Sequence, residues 1–403
     1  MRILIADALP QAQIDRLSEQ GEECVISPEL GADDIPDVIE GFDVLVVRST
    51  KVTAQTIKRS DRMGLIVRSG AGTNTIDCQA AADAGIYVCN VPGTNSVAVA
   101  ELTLGLLLAV DRQIPLASAD LKNGKWDKKR YSKADGLMGK TFGVVGVGEI
   151  GLAVAERARS FGMTVLAVRK ADRPHDVEAR IRSIGIRLVE DLDQLVSEAD
   201  IVSLHVPGGD STKSLVDRQF LNQMKPDSIL INTTRGEVVD EKALIAAMDE
   251  KGIRAGLDVF RNEPASGTGE FTSALAAHPN VVGTHHIGAS TQQAQDATSA
   301  GTVEVIEAYR NGDPINCVNV VRTRVGSATI TIRHFDRVGV LAASLELLRQ
   351  ADINVQTMEN KVFQGSNAAM AIIDVSGTVT EDLTRDLAGL DNVIQVQTTS
   401  RDQ

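Results

Sequence analysis

Val144-Val-Gly-Val-Gly-Glu-Ile-Gly151 is the stretch that determines the fold class of this 403-residue chain. It places Gly146, Gly148 and Gly151 in GxGxxG spacing, between the apolar run 142–145 and an amphipathic helical pattern. A strand, a glycine turn and a helix in this order let the backbone approach a pyrophosphate group, which the partial positive charge of the helix N-terminus stabilises. The stretch therefore predicts a dinucleotide-binding unit, and a purely structural glycine-rich turn is the alternative.

Short apolar runs alternate with helical patterns on both sides of this stretch. Alternating strands and helices predict parallel sheets that helices cover on both faces. The predicted strands are 3–6, 44–47, 65–67 and 87–89, and then 142–145, 164–168, 201–205, 229–232, 256–259 and 281–283. The second series matches a doubly wound nucleotide-binding sheet, so the expected class is α/β with a Rossmann domain.

The predicted order of strands and helices changes after Asn311-Gly-Asp-Pro314. Residues 327–403 show strand, helix, strand, strand, helix and strand patterns, with helices at 338–350 and 380–388. This βαββαβ order predicts a separate ferredoxin-like α+β domain, with a boundary near 320–327.

Composition excludes several classes of protein. The net charge of −13 argues against a nucleic-acid partner, and 43% apolar residues argue against disorder. The apolar run 97–110 contains Glu101 and is too short to span a bilayer, which favours a buried helix over a membrane anchor. The cysteines lie far apart in the sequence and lack a CxxC pair, which indicates reduced thiols in a cytoplasmic protein without a zinc site. They are Cys24, Cys78, Cys89 and Cys317.

The residues after the second strand of the Rossmann pattern bear on cofactor choice. An NAD-binding enzyme normally has Asp or Glu there to bind the ribose 2′-hydroxyl, whereas this chain has Arg169 and Lys170, followed by Arg173. A carboxylate about 4 Å from a 2′-phosphate would repel it by about 4 kcal/mol per unit charge at an effective dielectric near 20. The sequence therefore favours NADP(H) over NAD, although NAD could bind with Arg169 pointing to solvent.

Three further motifs follow predicted strands, at the edge where open α/β sheets bind ligands. They contribute an arginine, acidic residues and histidines, and they read Asn232-Thr-Thr-Arg-Gly-Glu-Val-Val-Asp240, Gly256-Leu-Asp-Val-Phe-Arg-Asn-Glu-Pro264 and His285-His-Ile-Gly288. Hydride transfer to a 2-keto acid uses such a set. An arginine binds the carboxylate and polarises the carbonyl, while a histidine beside a carboxylate exchanges the proton.

On these motifs the whole chain resembles the D-2-hydroxyacid dehydrogenase family, and within it the D-3-phosphoglycerate dehydrogenases. The resemblance implies that Arg235, Glu263 and His286, rather than His285, are catalytic, and that Asp258 contacts the nicotinamide carboxamide. Further cofactor contacts that it implies are Gly146, Gly148, Glu149, Ile150, Gly151, Arg169, Lys170, Pro207 and Thr233.

The family's architecture implies a substrate-binding domain of flavodoxin-like α/β fold formed by 1–93 and 287–318. The dinucleotide-binding domain, 94–286, is then inserted in it. The loop Arg68-Ser-Gly70-Ala71-Gly72 resembles the family's loop whose backbone amides receive a substrate carboxylate. Implied substrate contacts are Arg48, Arg68, Gly70, Ala71 and Asn95, and the arginines fit a phosphorylated 2-hydroxy acid such as 3-phosphoglycerate in serine biosynthesis.

Residues 327–403 resemble an ACT domain, a regulatory module that binds amino acids. His334, Asp336 and Asn354 match its effector positions, which suggests feedback by L-serine. Asp336 stands where some serine-sensitive members have Asn, and Val338 replaces the usual Pro, so an ACT domain that only pairs subunits is the alternative. This domain and the helix after Asn95 suggest a homodimer or homotetramer.

Two other functions stay open on the sequence. An NADPH-dependent hydroxypyruvate or glyoxylate reductase agrees with the cations Arg169 and Lys170. A non-catalytic redox-sensing protein would keep the glycines, but it would have no need of Arg235, Glu263 and His286 together.

Overall fold

The computed structural model describes residues 1–171, 173–264, 268–321 and 326–400. It forms two compact units, Met1–Asn319 and Val320–Gln403. The first contains two parallel sheets and the second contains one antiparallel sheet. This architecture confirms the predicted class, an α/β protein of Rossmann type with a separate α+β domain.

The first sheet is formed by the N-terminal part of the chain. Its strands are β1 (Arg2–Ile5), β2 (Glu23–Ile26), β3 (Val44–Val47), β4 (Leu65–Arg68) and β5 (Tyr87–Asn90). The helices between them are α1 (Gln11–Glu19), α2 (Ile35–Val38), α3 (Ala54–Arg59) and α4 (Cys78–Asp83). The parallel order β2-β1-β3-β4-β5 is that of a flavodoxin-like sheet. Hydrophobic clusters bury both faces, which explains why its central strands are continuous apolar runs.

The second sheet has seven strands. Its strands are β6 (Thr141–Val145), β7 (Thr164–Val168), β8 (Arg187–Val189), β9 (Ile201–Leu204), β10 (Ile229–Asn232), β11 (Arg254–Leu257) and β12 (Val281–Gly283). All of its strands are parallel, in the order β12-β11-β10-β9-β6-β7-β8. The sequence order of neighbouring strands reverses between β6 and β9. In doubly wound folds this point of reversal is where ligands bind, beyond the carboxyl ends of the strands.

The helices around the second sheet complete the first unit. They are α5 (Ser96–Arg112), α6 (Ile114–Lys122), α7 (Glu149–Ser160), α8 (His175–Ile184), α9 (Leu192–Glu198), α10 (Arg218–Gln223), α11 (Glu241–Lys251) and α12 (Gln292–Arg310). The apolar helix α5 packs against α7 and β11. Within the described ranges, no helix is both long and apolar enough to cross a membrane.

The last helix of this unit returns to the first sheet. Val303, Val305 and Ile306 of α12 belong to the same hydrophobic cluster as Ile3 of β1 and Val67 of β4. A chain that leaves this sheet after β5 thus rejoins it in α12. The predicted domain limits at 93/94 and 286/287 stay predictions.

The second unit has the predicted order of elements. It consists of β13 (Ala328–Phe335), α13 (Val340–Gln350), β14 (Asn354–Val362), β15 (Ala368–Ser376), α14 (Glu381–Ala388) and β16 (Val393–Ser400). The antiparallel order β14-β15-β13-β16 is ferredoxin-like, and apolar residues of both helices fill its core. Residues 322–325 of the predicted boundary and 401–403 of the predicted domain lie outside the described residues.

Candidate active site

The candidate catalytic and substrate-binding residues follow the carboxyl ends of strands in both sheets of the first unit. Arg68 ends β4, Arg235 lies shortly after β10, and His286 lies shortly after β12. A Cβ atom placed on Gly72, in the loop after β4, would lie 3.2 Å from Nη2 of Arg235. The carboxyl edges of the two sheets therefore border a common site.

His286 and Glu263 form a hydrogen-bonded pair. Nδ1 of His286 lies 2.7 Å from Oε2 of Glu263, and the backbone amide of Phe260 donates to Oε1 of Glu263 at 2.8 Å. Both carboxylate oxygens are thus fixed, and the bond at Nδ1 sets the ring orientation. Nε2 is then the ring nitrogen available to exchange a proton with a bound molecule. The predicted choice of His286 over His285 agrees with this geometry.

The contact between His286 and Glu263 favours the charged form of both side chains. The hydrogen bond that His286 donates to Glu263 raises the pKa of His286, although burial and the charge of Arg235 oppose this effect. Burial disfavours ionisation of Glu263, but the bonds from His286 and from the Phe260 amide outweigh it and lower the pKa of its carboxyl. The imidazolium form of His286 therefore persists to higher pH than in an ordinary histidine.

Asp258 holds the loop that carries His286. Its carboxylate, 1% exposed, accepts bonds from Oγ1 of Thr284 at 2.6 Å and from the amides of Ile287 and Gly288 at 2.9 and 2.8 Å. The amide of His286 donates to the Asp258 carbonyl at 2.7 Å, and His286 has a φ of 54°. A non-glycine residue in this left-handed region needs such support. The predicted contact of Asp258 with a nicotinamide carboxamide stays a prediction.

Three guanidinium groups gather beside the loop after β4. Burial lowers the pKa of Arg68, and the positive charges of Arg235 and Arg48 lower it further. Nε of Arg68 is buried and lacks a hydrogen-bond partner within the described part of the chain. Clustered, incompletely satisfied cations of this kind form a site for an anion with more than one negative charge.

Asp7, which sequence reasoning missed, organises one side of this cluster. Its Oδ2 accepts bonds from the backbone amides of Arg48 at 2.7 Å, Ser49 at 3.2 Å and Thr50 at 3.1 Å, and Oδ1 accepts from the Ser49 hydroxyl at 2.8 Å. Burial opposes ionisation of Asp7, but these bonds outweigh it and lower its pKa. Asp7 thus fixes the start of the loop that carries Arg48. Its position shortly after the predicted first strand was a signal in the sequence, whereas its contacts with the loop after β3 were not.

The glycine motif forms a tight cradle between β6 and α7. A Cβ on Gly146, which has a φ of 102°, would lie 2.4 Å from the His205 carbonyl oxygen, and one on Gly151 would lie 2.0 Å from that of Gly146. Gly148 faces open space and caps α7 without a side-chain hydrogen bond, so the amides of the first turn stay accessible. These residues fit a dinucleotide pyrophosphate.

The cations after β7 lie on the surface. Nε of Arg169 lies 3.4 Å from Oε1 of Glu190, an exposed pair, and Lys170 is also exposed. Arg173 donates to the carbonyl of Val168 at 2.9 Å. Arg169, Lys170 and Arg173 thus stay near the end of β7.

Other predicted cofactor and substrate residues border the same edge. Glu149 is bound by Nη1 of Arg180 at 2.8 and 2.9 Å, and the hydroxyl of Thr233 contacts Thr103 at 3.1 Å. The Gly70 carbonyl accepts a hydrogen bond from the Val91 amide at 2.9 Å. The Ala71 carbonyl accepts one from the side-chain amide of Asn90 at 2.5 Å. The remaining predicted residues are half-buried or exposed, namely Ile150, Pro207 and Asn95.

His205 is a second residue that sequence reasoning missed. It follows β9 at the point of reversal, and its Nε2 lies 2.8 Å from the hydroxyl of Ser203. Burial lowers the pKa of His205 to about 3, so the ring stays neutral. It supports the glycine turn without contributing charge.

The predicted effector residues in the second unit are separated. His334 is 1% exposed and contacts Oδ1 of Asn360 at 3.2 Å and its neighbour's carbonyl at 2.8 Å. It pairs with Ala369 of β15, whereas Asn354 pairs with Ser376, seven residues and about 23 Å further along that strand. One copy of the unit thus brings together His334 and Asp336, but not Asn354.

Comparisons with known proteins show the family to which this chain is related. A family model described as D-isomer specific 2-hydroxyacid dehydrogenase, NAD binding domain, matches residues 104–288. The chain is 40% identical to D-3-phosphoglycerate dehydrogenase of Methanocaldococcus jannaschii over 81% of this chain and 61% of that protein. It is 41% identical to hydroxypyruvate reductase of Thermotoga maritima over 76% of this chain and 97% of that protein. The crystal structure of D-lactate dehydrogenase from Aquifex aeolicus with NAD and lactic acid matches with a TM-score of 0.67 at 27% identity, over 80% of this chain and 100% of that chain.

The chain belongs to the D-isomer specific 2-hydroxyacid dehydrogenase family. The sequence-based resemblance is confirmed, including the similarity to D-3-phosphoglycerate dehydrogenases. The chain spans 61% of the length of the M. jannaschii relative, so that protein's name does not by itself assign the activity of this chain.

The Glu263–His286 bond generates a first prediction. In Glu263→Gln the neutral amide no longer stabilises the imidazolium, so the pKa of His286 is expected to fall. NMR titration of ¹³C-labelled histidine in both proteins measures the change. Glu270→Gln, which removes an exposed carboxylate from the same loop, is the control and should leave His286 unchanged. An unaltered titration in Glu263→Gln would show that the pair is not formed in solution.

Proposed function

We propose that this protein is a D-2-hydroxyacid dehydrogenase that interconverts D-3-phosphoglycerate and 3-phosphohydroxypyruvate with a nicotinamide dinucleotide. The observation that carries the proposal is the His286–Glu263 pair, at 2.7 Å, on the strand edge shared with Arg235. An acid–base pair, a carboxylate-binding cation and a dinucleotide cradle at one edge suit hydride transfer to a 2-keto acid.

Each residue has a distinct role in this reaction. Arg235 binds the substrate carboxylate and polarises the adjacent carbonyl, since a guanidinium donates two parallel hydrogen bonds. His286, held as imidazolium by Glu263, donates the proton to the carbonyl oxygen from Nε2 and accepts it in the reverse direction. A nicotinamide dinucleotide, when bound in the glycine cradle, would supply or accept the hydride. Asp258 keeps the loop of His286 in position.

The arginine cluster supports a phosphorylated substrate. Arg235 is required for the carboxylate, which leaves Arg48 and Arg68 for a second anionic group. Asp7 offsets part of their mutual repulsion and fixes the Arg48 loop. A glyoxylate molecule carries no second anion, so this cluster favours the phosphorylated acid over a simple 2-keto acid.

A substrate panel tests this proposal. The ratio kcat/KM is expected to be highest for 3-phosphohydroxypyruvate, compared with hydroxypyruvate and glyoxylate. Arg48→Ala should raise KM for the phosphorylated substrate about 10- to 100-fold, the worth of one charge-assisted bond, and change the glyoxylate reaction little. Steady-state kinetics with each substrate measure both effects.

One control variant and one active-site variant accompany the substrate panel. Arg59→Ala removes an exposed arginine at the end of α3 and should leave all three substrates unaffected. His286→Ala should lower kcat about 10²- to 10⁴-fold, the usual contribution of a general acid. Preference for hydroxypyruvate would instead identify a reductase like the T. maritima relative, and undiminished turnover in His286→Ala would contradict the assigned chemistry.

We propose NADP(H) as the preferred cofactor. Arg169, Lys170 and Arg173 occupy the end of β7, where a ribose-binding carboxylate is expected for NAD. Glu190 is the acidic side chain paired with Arg169, and both are exposed, so this pair can open for a 2′-phosphate at little cost.

The cofactor proposal predicts a lower KM for NADPH than for NADH. Arg169→Ala should raise KM for NADPH about 10-fold or more through loss of a charge-assisted bond, with little effect on NADH. Kinetics with both cofactors measure this selectivity. Arg182→Ala, which removes an exposed arginine of α8, is the matched control. A marked preference of the wild-type protein for NADH would refute the proposal.

We also propose that the protein is a homodimer or homotetramer with an amino-acid effector. Helix α6 and the following segment expose large apolar side chains that a second copy would cover, namely Ile114, Leu116, Leu121, Trp126 and Met138.

In the second unit, an effector held by His334 and Asp336 would reach Asn354 only on a second copy, because Asn354 lies at the other end of its own sheet.

An L-serine titration tests the effector proposal. Serine should raise Tm and lower the reaction rate, because it binds the folded unit across two copies. Asn354→Ala should weaken the response, whereas Gln397→Ala, an exposed polar position on β16, should not. If serine changes neither Tm nor rate, the second unit serves only in subunit pairing.

A further inference from the structure

Two cysteines that are 228 positions apart in the sequence meet in the first unit. Sγ of Cys89 on β5 lies 3.1 Å from Sγ of Cys317, in the segment that follows α12. Cys89 is fully buried and Cys317 is 8% exposed. The spacing of the cysteines in the sequence indicated reduced thiols, and the return of the chain to this sheet brings Cys89 and Cys317 together.

The backbone around the pair has the geometry that a disulfide needs. The amide of Val318 donates to the Val88 carbonyl at 2.8 Å, and the amide of Asn90 donates to the Asn316 carbonyl at 3.2 Å. These bonds flank the antiparallel bridge between Cys89 and Cys317, which is therefore a non-hydrogen-bonded pair. Such pairs have Cα atoms about 4.5 Å apart, within the range of about 4.4–6.8 Å seen in disulfides.

We propose that Cys89 and Cys317 are a redox modification site at which a small hydroperoxide converts the two thiols to a disulfide. The sulfur atoms need to approach by only about 1 Å to reach a bond length of about 2.05 Å. Burial excludes bulky disulfide reagents, whereas hydrogen peroxide, with two heavy atoms, reaches the slightly exposed Cys317.

The oxidation takes place in two steps. The Cys317 thiol releases its proton and its sulfur attacks one peroxide oxygen. The O–O bond breaks, and the departing hydroxide takes up the released proton to give water and a sulfenic acid. The Cys89 sulfur then attacks the sulfenic sulfur, the S–O bond breaks, and a second water leaves with the Cys89 proton. Two thiols lose two electrons in total, and one hydrogen peroxide gains them.

The bond would fasten the end of the first unit to its sheet. The segment 316–319 covers the outer edge of β5, and the Asn319 side chain donates to the Ile86 carbonyl at 2.8 Å and accepts from the Val88 amide at 2.9 Å. The whole seven-stranded sheet lies between Cys89 and Cys317 in the chain. A cross-link across so long a loop restricts the unfolded chain strongly and should stabilise the unit.

Peroxide treatment of the full chain tests the proposal without reference to its activity. The protein is oxidised with hydrogen peroxide, denatured in iodoacetamide and digested, and mass spectrometry should detect a peptide that joins residues 89 and 317. Tm should rise by a few degrees, and amide hydrogen exchange should slow at 86–90 and 316–319, with both changes reversed by dithiothreitol.

Matched variants distinguish this site from general thiol oxidation. Cys317→Ser should abolish the linked peptide and the rise in Tm, whereas Cys24→Ser, at a half-buried position on β2, should retain both. The wild-type mass measurement needs no variant, so poor folding of Cys317→Ser would not prevent a decision. Alkylation of Cys89 and Cys317 after treatment that oxidises Cys24 or Cys78 would overturn the proposal.

Discussion

The candidate chemistry depends on the hydrogen bonds that the buried carboxylate of Asp258 accepts. This carboxylate accepts the Thr284 hydroxyl and the amides of Ile287 and Gly288, and so fixes the loop in which His286 adopts a φ of 54°. Without these bonds the loop would relax from this strained conformation, and the 2.7 Å contact with Glu263 would be lost. In the proposed reaction, a residue that need not touch the substrate would therefore determine the position of the proton donor His286.

The arginine cluster also depends on a carboxylate, that of the half-buried Asp7. Arg48, Arg68 and Arg235 repel one another, and this repulsion contributes to the lowered pKa of Arg68. Asp7 partly offsets it while its backbone contacts hold the Arg48 loop. An incoming polyanion would relieve the remaining repulsion, so the proposed affinity for a doubly anionic substrate rests on charge repulsion that is present before the substrate binds.

The sequence was most informative where burial and local pattern coincide. Strands 44–47, 164–168 and 229–232 were predicted at their observed limits because both faces of a parallel sheet are buried, which makes such strands apolar throughout. Strands β2 and β8 were missed because they are short edge strands with polar residues. The Asp7 contacts and the Cys89–Cys317 pair join distant segments, so no local pattern indicates them.

The end of β5 connects the Cys89–Cys317 pair with the loop after β4. Asn90, next to Cys89, donates through its side chain to the carbonyl of Ala71, and the Val91 amide donates to that of Gly70. The loop resembling the family's carboxylate-binding loop is therefore held by the residues that directly follow Cys89. Because the Asn90 amide also donates to the Asn316 carbonyl, the segment that Cys317 would fasten and the loop after β4 contact the same short stretch of backbone. A shift of β5 at Cys89 would therefore act on the loop after β4, because close-packed elements transmit strain.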